Sequence, residues 1–217
     1  MASYRNGIET RKALYGSARR NFAQHGYFGA SIQGIVRDAN AKLGLFTYYF
    51  ESKESLALQI LSELQHNVRD YVAAQPAASA LEGLSLALLH ARVWLALQTR
   101  EVSVQRFVRE LCTCNAYLQQ AEAALRALWQ RLHPSAPVTD FIALGCSMAT
   151  GMLRQFEQDL PLLQLSCPLE DALDRVLTAA FSLLECDAPR LRDAVSASRC
   201  AAQHISPRIG ADFTVLA

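Results

Sequence analysis

Residues 31–53 gather side chains that can bind a polyanion. Hydroxyl, phenol and ammonium groups donate hydrogen bonds to phosphate oxygens, and a helix N-terminus offers free main-chain N–H groups to the same atoms. A glycine lets a helix approach a nucleic-acid backbone closely, and an aliphatic side chain can touch the methyl group of thymine. The residues that predict such contacts with double-stranded DNA are Ser31, Lys42, Gly44, Leu45, Thr47, Tyr48, Tyr49 and Lys53.

The spacing of apolar residues predicts two short helices that would position these groups. Ser31 can cap a first helix, in which apolar residues recur at i, i+3, i+4 and i+7 from Ile32 to Ala39. Asn40 interrupts this pattern, and a second helix is predicted over residues 42–50. Two short helices joined by a tight turn are typical of a helix-turn-helix, whose second helix enters the major groove of DNA.

Positive charge is concentrated at one end of a chain whose formal net charge is only +1. Residues 1–53 contain eight basic and three acidic residues, a local net charge of +5, and they include every lysine of the protein. The rest of the chain has thirteen arginines and seventeen acidic residues, a net charge of −4. A basic end favours DNA binding with an affinity that falls as salt rises, because phosphate contacts release counterions.

Each of these residues also has a purely structural explanation that the sequence leaves open. Ser31 can act as a helix cap alone, and Gly44 can be a simple imperfection of its helix. Leu45 can be a half-buried helix residue instead of a thymine contact, and Tyr49 can place its ring in the core. Lys53 can be a solvated charge.

Several motifs follow one another in a specific order along the first quarter of the chain. A helix ends in Gly-Tyr, a serine-capped helix follows, and the next helix ends in Tyr-Tyr-Phe before Ser-Lys-Glu-Ser-Leu. The residues that carry this order are Phe22, Gly26, Tyr27, Ser31, Ile35, Ala39, Gly44, Phe46, Tyr48, Tyr49, Phe50, Lys53 and Leu56. In this the sequence resembles the tetracycline-repressor (TetR) family of bacterial transcription regulators. The resemblance implies a homodimeric repressor that a small-molecule effector of unknown identity releases from a roughly palindromic operator.

Five positions depart from what is usual in that family. Gly34 stands where the family usually has a small or acidic partner in the capping box. Asn40 stands in place of a glycine and Lys42 in place of Ser or Thr. Because asparagine tolerates left-handed backbone geometry, we expect the turn to be kept. Leu45 replaces Thr or Ser and Thr47 replaces Tyr on the surface that faces DNA. These changes alter base or phosphate contacts, so the family does not supply the operator sequence.

The remainder of the chain shows helical periodicity and no alternating strand of useful length, so the predicted fold class is all-α. We expect an N-terminal three-helix helix-turn-helix DNA-binding domain in residues 1–53. A helical ligand-binding and dimerisation domain should follow in residues 54–202, and a loose tail in residues 203–217. Helices are predicted over residues 8–25, 52–72, 81–99, 102–112, 116–132, 139–160, 169–186 and 187–202. The resemblance implies that helices 139–160 and 169–186 form a four-helix bundle with the same pair of a second subunit.

Large, soft and polar residues of the second domain are candidates for an effector site. The candidates for its walls are His90, Trp94, Phe107, Cys112, Trp129, Met148, Met152 and Phe156, with Arg92, Gln98 and Arg106 as further polar anchors. Ordinary core packing is the alternative interpretation of each, because aromatic and methionine residues at helical spacing are usually core.

Two other functions remain open at this stage. Cys112 and Cys114 would suit a redox or electrophile sensor if Arg106 or Arg109 lowered the pKa of a thiol. A helical ligand-binding adaptor without DNA affinity is the other alternative, although it leaves the basic N-terminal end unexplained. The sequence contains no phosphate-binding glycine loop, HExxH motif or paired metal ligands. We therefore expect no enzyme, no cofactor, no metal, no membrane association and a cytoplasmic location.

Overall fold

The computed structural model describes residues 2–160, 162 and 166–216, with side chains from residue 7 onwards. Within these residues the fold is all-α, as predicted, with one small antiparallel strand pair near the C-terminus. The helices are α1 (Ala2–Gly29), α2 (Ile32–Asp38), α3 (Leu43–Tyr49), α4 (Lys53–Ala73), α5 (Gly83–Arg100), α6 (Val102–Leu111), α7 (Asn115–Leu132), α8 (Asp140–Asp159), α9 (Leu169–Ser182) and α10 (Ala188–Ala202). The strands are β1 (Arg208–Ile209) and β2 (Val215–Leu216), and a short 3-10 helix spans Pro76–Ala78.

The first three helices form the predicted DNA-binding domain. The hydroxyl of Ser31 accepts a hydrogen bond from the main-chain N–H of Gly34 at 3.0 Å, so the predicted cap of α2 is confirmed. Asn40 has a φ of 49° in the turn between α2 and α3, as expected for asparagine in place of glycine. A shared core of buried side chains holds the three helices together: Leu14, Ala18, Phe22, Ile35, Val36, Phe46 and Phe50.

The helix α4 leaves the DNA-binding domain and continues into the second domain. Ser52 caps it by accepting from the N–H of Ser55 at 2.9 Å. The four residues that the sequence places at every fourth position, Leu56, Ile60, Leu64 and Val68, are all buried. One helix therefore carries a continuous apolar edge from one domain to the other, which makes it a rigid connection.

The second domain packs α5 against α9 and α10, and α7 against α8. Arg92 of α5 is completely buried, and its guanidinium forms ion pairs with Glu170 at 2.8 Å and with Asp174 of α9. It also donates to Ser198 of α10 at 3.4 Å. Because a buried guanidinium must be paired, these contacts fix three helices relative to one another. Arg92 is thus a structural residue and does not line an open site.

The sequence predicts a loose tail over residues 203–217, and the structure corrects this prediction. Strands β1 and β2 pair antiparallel, with Arg208 opposite Leu216 and Ile209 opposite Val215. Ile205 and Phe213 are buried in the same core as the DNA-binding domain. Residue 217 lies outside the described residues. Burial of the apolar ring of Phe213 offsets the conformational entropy that is lost when this segment becomes ordered.

Candidate nucleic-acid interface and effector region

The outward face of α3 presents the residues that the sequence assigns to DNA. Gly44, Thr47 and Tyr48 are exposed, and 77% of the surface of Tyr48 is accessible. The ring of Tyr48 contacts that of Tyr49 edge to face, with centroids 4.9 Å apart. The phenol group of Tyr48 is therefore open to solvent, and its contact with a phosphate stays a prediction.

Gly44 has no neighbour that explains its lack of a side chain. A Cβ built at this position meets nothing within 4 Å. The hydroxyl of Thr47 donates to the main-chain oxygen of Gly44 at 3.1 Å, and this bond stays within the helix. No contact within the described part of the chain requires glycine at this position, and the close approach of Gly44 to DNA stays a prediction.

Leu45 and Tyr49 lie on the flanks of the same helix. Both are half-buried, and both pack against the core of the DNA-binding domain. A Cβ on Gly7 would lie 3.1 Å from the Tyr49 hydroxyl, so this phenol group lies close to α1. The alternative structural roles of Leu45 and Tyr49 are present in the fold, and their DNA contacts stay predictions.

Ser31 and Lys42 are exposed at the N-terminal ends of α2 and α3. Lys42 makes no side-chain capping bond. Gln33 and Arg37 of α2 are exposed beside Ser31 and line the same open depression, and sequence reasoning did not single them out. The sequence could have indicated that both are exposed, because they fall on the face of α2 opposite its apolar stripe.

Lys53 has partners other than the phosphate that the sequence predicts. Its ammonium group donates to the main-chain oxygens of Tyr27 at 2.9 Å and Ala30 at 3.0 Å. The same group lies 4.4 Å from the centre of the Tyr27 ring, in a cation–π contact. Lys53 therefore fixes the segment between α1 and α2, and through it the position of Ser31. A phosphate contact by Lys53 remains an untested prediction.

The end of α1 is held by α6 of the second domain. Gly26 has φ 74° and ψ −177°, which breaks the helical geometry of α1 near its end. The carboxylate of Glu110 accepts from the N–H of Phe28 at 2.7 Å. Arg106 donates to the main-chain oxygens of Ala23 at 3.1 Å and Gln24 at 2.6 Å. A movement of α6 would therefore move the DNA-binding domain directly.

The structure places Phe107 and Arg106, both predicted to line an effector site, at the junction between the domains. Phe107 is buried between the two domains, where its ring stacks on that of Phe22 with centroids 5.3 Å apart. Its neighbour on the other side is the ring of Phe213, at 5.0 Å. The physical reason is that α6 turns this face towards α1, so both residues serve the junction between domains.

Three of the predicted effector residues, Trp94, Gln98 and Cys112, meet at a buried acid that sequence reasoning missed. The carboxylate of Glu157 accepts from the Trp94 indole at 3.0 Å and from the Cys112 thiol at 3.7 Å. The Gln98 amide donates to it at 3.0 Å, and the Tyr117 hydroxyl makes a further short bond. Glu157 lies on the inner side of α8, one position after Phe156. This position is the one feature of the sequence that could have indicated its burial.

The environment of Glu157 is unusual for a carboxylate. The residue is buried, and the side chains that donate to it are all neutral. Burial raises the pKa of Glu157, although the hydrogen bonds from Tyr117, Gln98 and Trp94 oppose that effect. The other amide atom of Gln98, Oε1, is buried without a hydrogen-bond partner among the described residues. We call Trp94, Gln98, Cys112, Tyr117 and Glu157 the Glu157 cluster.

The other predicted effector residues do not join this cluster. Trp129 stacks on His133 with ring centroids 4.9 Å apart. The Nε2 atom of His90 is buried without a partner within the described residues, and burial lowers the pKa of the ring. Met148 and Met152 point outward from α8 and are 52% and 37% exposed, so they do not line the interior of this chain.

The cysteine hypothesis fails at its electrostatic premise. Burial and the nearby Glu157 raise the pKa of the Cys112 thiol, and burial likewise raises the pKa of Cys114. Arg106 is held by α1, and Arg109 is exposed. The positive charges of Arg154 near Cys112 and of Lys53 near Cys114 act to lower these pKa values, but burial outweighs them, so neither thiol has the lowered pKa of a reactive thiolate.

The outer face of α8 carries a row of exposed apolar side chains. Phe141, Leu144, Met148 and Met152 recur at helical spacing on this face and are 37–77% exposed. A row of this kind on one helix is typical of a surface that another protein chain covers.

No three His, Cys, Asp or Glu side chains among the described residues come together in a way that could hold a metal ion. None of their helices combines the length and hydropathy needed to cross a membrane.

The N-terminal region matches a known protein family. Residues 14–60 fit the pattern of the bacterial regulatory proteins of the tetR family. The chain is 27% identical over 183 residues to the HTH-type transcriptional regulator BetI of Agrobacterium fabrum, which covers 77% of this chain and 87% of that protein. It is 29% identical over 66 residues to the HTH-type regulator LmrA of Bacillus subtilis, across 30% of this chain and 35% of LmrA.

Solved structures share the whole fold. The tetR regulator TylP of Streptomyces fradiae superimposes with a TM-score of 0.53 at 15% identity, over 94% of each chain. RolR in complex with resorcinol gives a TM-score of 0.54 at 16% identity, over 95% of this chain and 100% of RolR. At these identities the likeness concerns the fold.

Proposed function

We propose that this chain, which belongs to the tetR family of bacterial regulatory proteins, is a homodimeric repressor that a small-molecule effector releases from a palindromic operator. The observation that carries the DNA-binding part is the outward face of α3. There Gly44, Thr47 and Tyr48 are exposed together on the domain that holds every lysine of the protein. One such helix reads only a few base pairs, so two copies at a fixed separation are needed for useful specificity.

The dimer is supported by the exposed apolar row on α8. Its members lie on a helix that the sequence assigned to a four-helix bundle with a second subunit, together with α9. Burying aromatic and aliphatic side chains of this size against a second copy gives the association its driving force. In this arrangement Met148 and Met152 serve the dimer and not the effector.

The effector site is proposed at the Glu157 cluster. Support comes from the unpaired Oε1 atom of Gln98 and from four neutral donors around one buried carboxylate. An effector that carries a hydrogen-bond donor would satisfy that oxygen. RolR, whose structure contains resorcinol, has the same fold, which supports an effector role for this domain.

A connection between this cluster and the DNA-binding domain supports the release step. Arg154 of α8 donates to the main-chain oxygen of Cys112 at 2.6 Å, and Cys112 caps the end of α6. The opposite face of α6 holds α1 through Arg106 and Glu110. An effector that displaces α8 would thus pull α6 and reorient the recognition helix.

The test is a gel-shift titration with DNA from upstream of the protein's own gene, at two salt concentrations. We expect retardation of one fragment at low protein concentration and a weaker shift at the higher salt. A control fragment of the same length from within the coding sequence should bind more weakly. If no fragment is retarded at either salt concentration, the adaptor without DNA affinity is the better description.

A further inference from the structure

The C-terminal segment, residues 203–216, lies across the junction between the two domains. Its Phe213 is 1% exposed. The ring of Phe213 stacks against Phe107 of α6, and Phe107 in turn stacks against Phe22 of α1. Three aromatic rings, one from the DNA-binding domain, one from the second domain and one from the C-terminal segment, thus form a continuous row.

Polar contacts attach the same segment to the DNA-binding domain. The guanidinium of Arg19 in α1 donates to the main-chain oxygen of Asp212 at 2.8 Å and to the hydroxyl of Thr214 at 3.2 Å. It also lies 3.8 Å from the Asp212 carboxylate and 3.4 Å from Glu63 of α4. One side chain therefore joins α1, α4 and the C-terminal segment.

Further contacts attach the segment to the second domain where α5 meets α6. Arg100 at the end of α5 donates to the hydroxyl of Ser206 at 2.6 Å. The carboxylate of Glu101 accepts from the main-chain N–H of Ile209 at 3.2 Å. The segment is thus bonded to both domains and crosses between them.

The turn that delivers Phe213 has an uncommon backbone conformation. Phe213 has a φ of 64°, which a bulky residue adopts only when its surroundings hold it there. The N–H of Phe213 donates to the oxygen of Gly210 at 3.1 Å, and the N–H of Gly210 donates to the oxygen of Thr214 at 2.8 Å. This tight turn directs the ring inward.

We propose that the C-terminal segment is a strap that sets the orientation of the DNA-binding domain on the second domain, with Phe213 as its positioning residue. The strap adds a third connection beside α4 and the α1–α6 contact, and it packs against both. It limits the angles that the recognition helix can adopt, and so the distances between the two recognition helices of a dimer. The consequence for DNA rests on the proposed function, whereas the positioning of the domain does not.

Hydrogen exchange of the full-length protein without DNA tests the positioning. In Phe213→Ala we expect main-chain amides of α1, α2 and α3 to exchange about tenfold faster, because the domain opens locally. Amides of α9, whose Leu173 and Leu177 belong to the other apolar core of the protein, should keep their rates. Leu216→Ala, an exposed residue of the same hairpin, is the matched control and should behave as wild type.

A second variant keeps the proposal falsifiable if Phe213→Ala folds poorly. Arg19→Gln removes the polar attachment of the strap and should also accelerate exchange in α1–α3, whereas Arg20→Gln at the exposed neighbouring position should not. Unchanged exchange in α1–α3 in both strap variants would overturn the proposal. Equal acceleration in α9 would also overturn it, since that indicates general destabilisation.

A DNA-binding measurement tests an effect that a merely structural role of Phe213 would not produce, the discrimination between half-site spacings. Duplexes that the wild-type protein binds are altered by one or two base pairs between the half-sites. We expect Phe213→Ala to lose at least half of the wild-type discrimination between spacings, while Leu216→Ala retains it. Unchanged discrimination would contradict the strap. If neither protein binds any duplex, the proposed DNA-binding function is wrong. The hydrogen-exchange rates then test the positioning role of the strap by themselves.

Discussion

The carboxylate of Glu110 occupies the space that a side chain on Gly26 would need. A Cβ at Gly26 would lie 2.6 Å from one oxygen of Glu110 and 2.8 Å from the other. Glu110 belongs to α6 of the second domain, and Gly26 lies near the end of α1 in the DNA-binding domain. The two domains therefore contact each other closely between Gly26 and Glu110, and we expect the orientation of the recognition helix to depend on this contact.

Gly26→Ala should destabilise the protein. The backbone conformation at Gly26 is one that only glycine adopts readily, so the substitution should lower the free energy of unfolding by about 1–3 kcal/mol. Urea denaturation measures this change. Gly16→Ala is the control, since its Cβ meets only the end of the Arg20 side chain at 3.6 Å. Equal stability of the two variants would contradict the positive φ described for Gly26.

Gly44→Ala should weaken DNA binding without lowering the stability of the fold. A methyl group at this position meets nothing in the protein, and alanine favours a helix over glycine by up to about 1 kcal/mol. We therefore expect a melting temperature equal to or above that of wild type, with an affinity for DNA reduced about tenfold or more because the helix approaches less closely. Fluorescence anisotropy with a labelled duplex measures the affinity. An unchanged affinity would mean that α3 does not approach the duplex at Gly44.

Lys42→Ala should weaken binding to all DNA sequences alike. Lys42 is exposed at the start of α3 and has no capping bond, so its charge is free for a phosphate. Removing one phosphate contact should reduce the slope of log affinity against log salt by about one unit. Arg175→Ala makes the same charge change on an exposed position of α9 and should leave the slope intact. A slope equal to wild type in Lys42→Ala would exclude this contact.

Glu157→Gln should change how stability depends on pH. Burial raises the pKa of Glu157 above its ordinary value of 4.5, so the native state holds a proton that the unfolded state has already lost. The free energy of unfolding of the wild type should therefore fall as pH rises from about 4.5 through the raised pKa, by about 1.4 kcal/mol per unit of the shift. Glutamine does not titrate, so the variant lacks this fall.

Urea denaturation of both proteins between pH 4 and pH 8 checks this prediction. The wild type should lose stability relative to Glu157→Gln as pH rises, and the difference should level off above the raised pKa. Phe156, the half-buried neighbour on α8, offers a non-titrating control as Phe156→Leu. A difference between wild type and Glu157→Gln that stays constant across this pH range would mean that Glu157 titrates normally.

The helices of the DNA-binding domain follow from local patterns, which is why the sequence predicts them well. Ser31 caps α2 through the neighbouring Gly34, and Asn40 takes up the left-handed turn that its side chain tolerates. Each of these features is settled within four residues along the chain. The same is true of α4, whose buried edge recurs every fourth residue.

The strap and the partners of Lys53 depend on distant residues, and local patterns do not reveal them. Arg19 and Asp212 are 193 positions apart, and residues 203–216 have no helical or alternating period that would indicate their docking. The ammonium of Lys53 reaches back to Tyr27 and Ala30, which lie before both helices of the motif. Sequence spacing identifies a basic residue near DNA but not the carbonyl oxygens that compete for it.

The effector region shows the same limit. An acidic residue in a helix usually lies at the surface, so the position of Glu157 next to Phe156 was only a weak signal of its burial. Its donors come from three other parts of the chain. Met148 and Met152 are of a residue type expected in apolar binding sites, but their side chains point away from the interior of this chain. Their exposure is determined by how α8 packs on α7 and α9, which is tertiary information.

Selection of bound duplexes from a pool of random DNA tests the central claim most directly. The wild-type protein should enrich an inverted repeat and bind it as two subunits per duplex, measured by sedimentation. Leu144→Asp, a change at an exposed position of the α8 apolar row, should give a folded monomer that enriches no such repeat. Enrichment of no sequence by the wild type, or binding of a single subunit to a site without symmetry, would contradict the account.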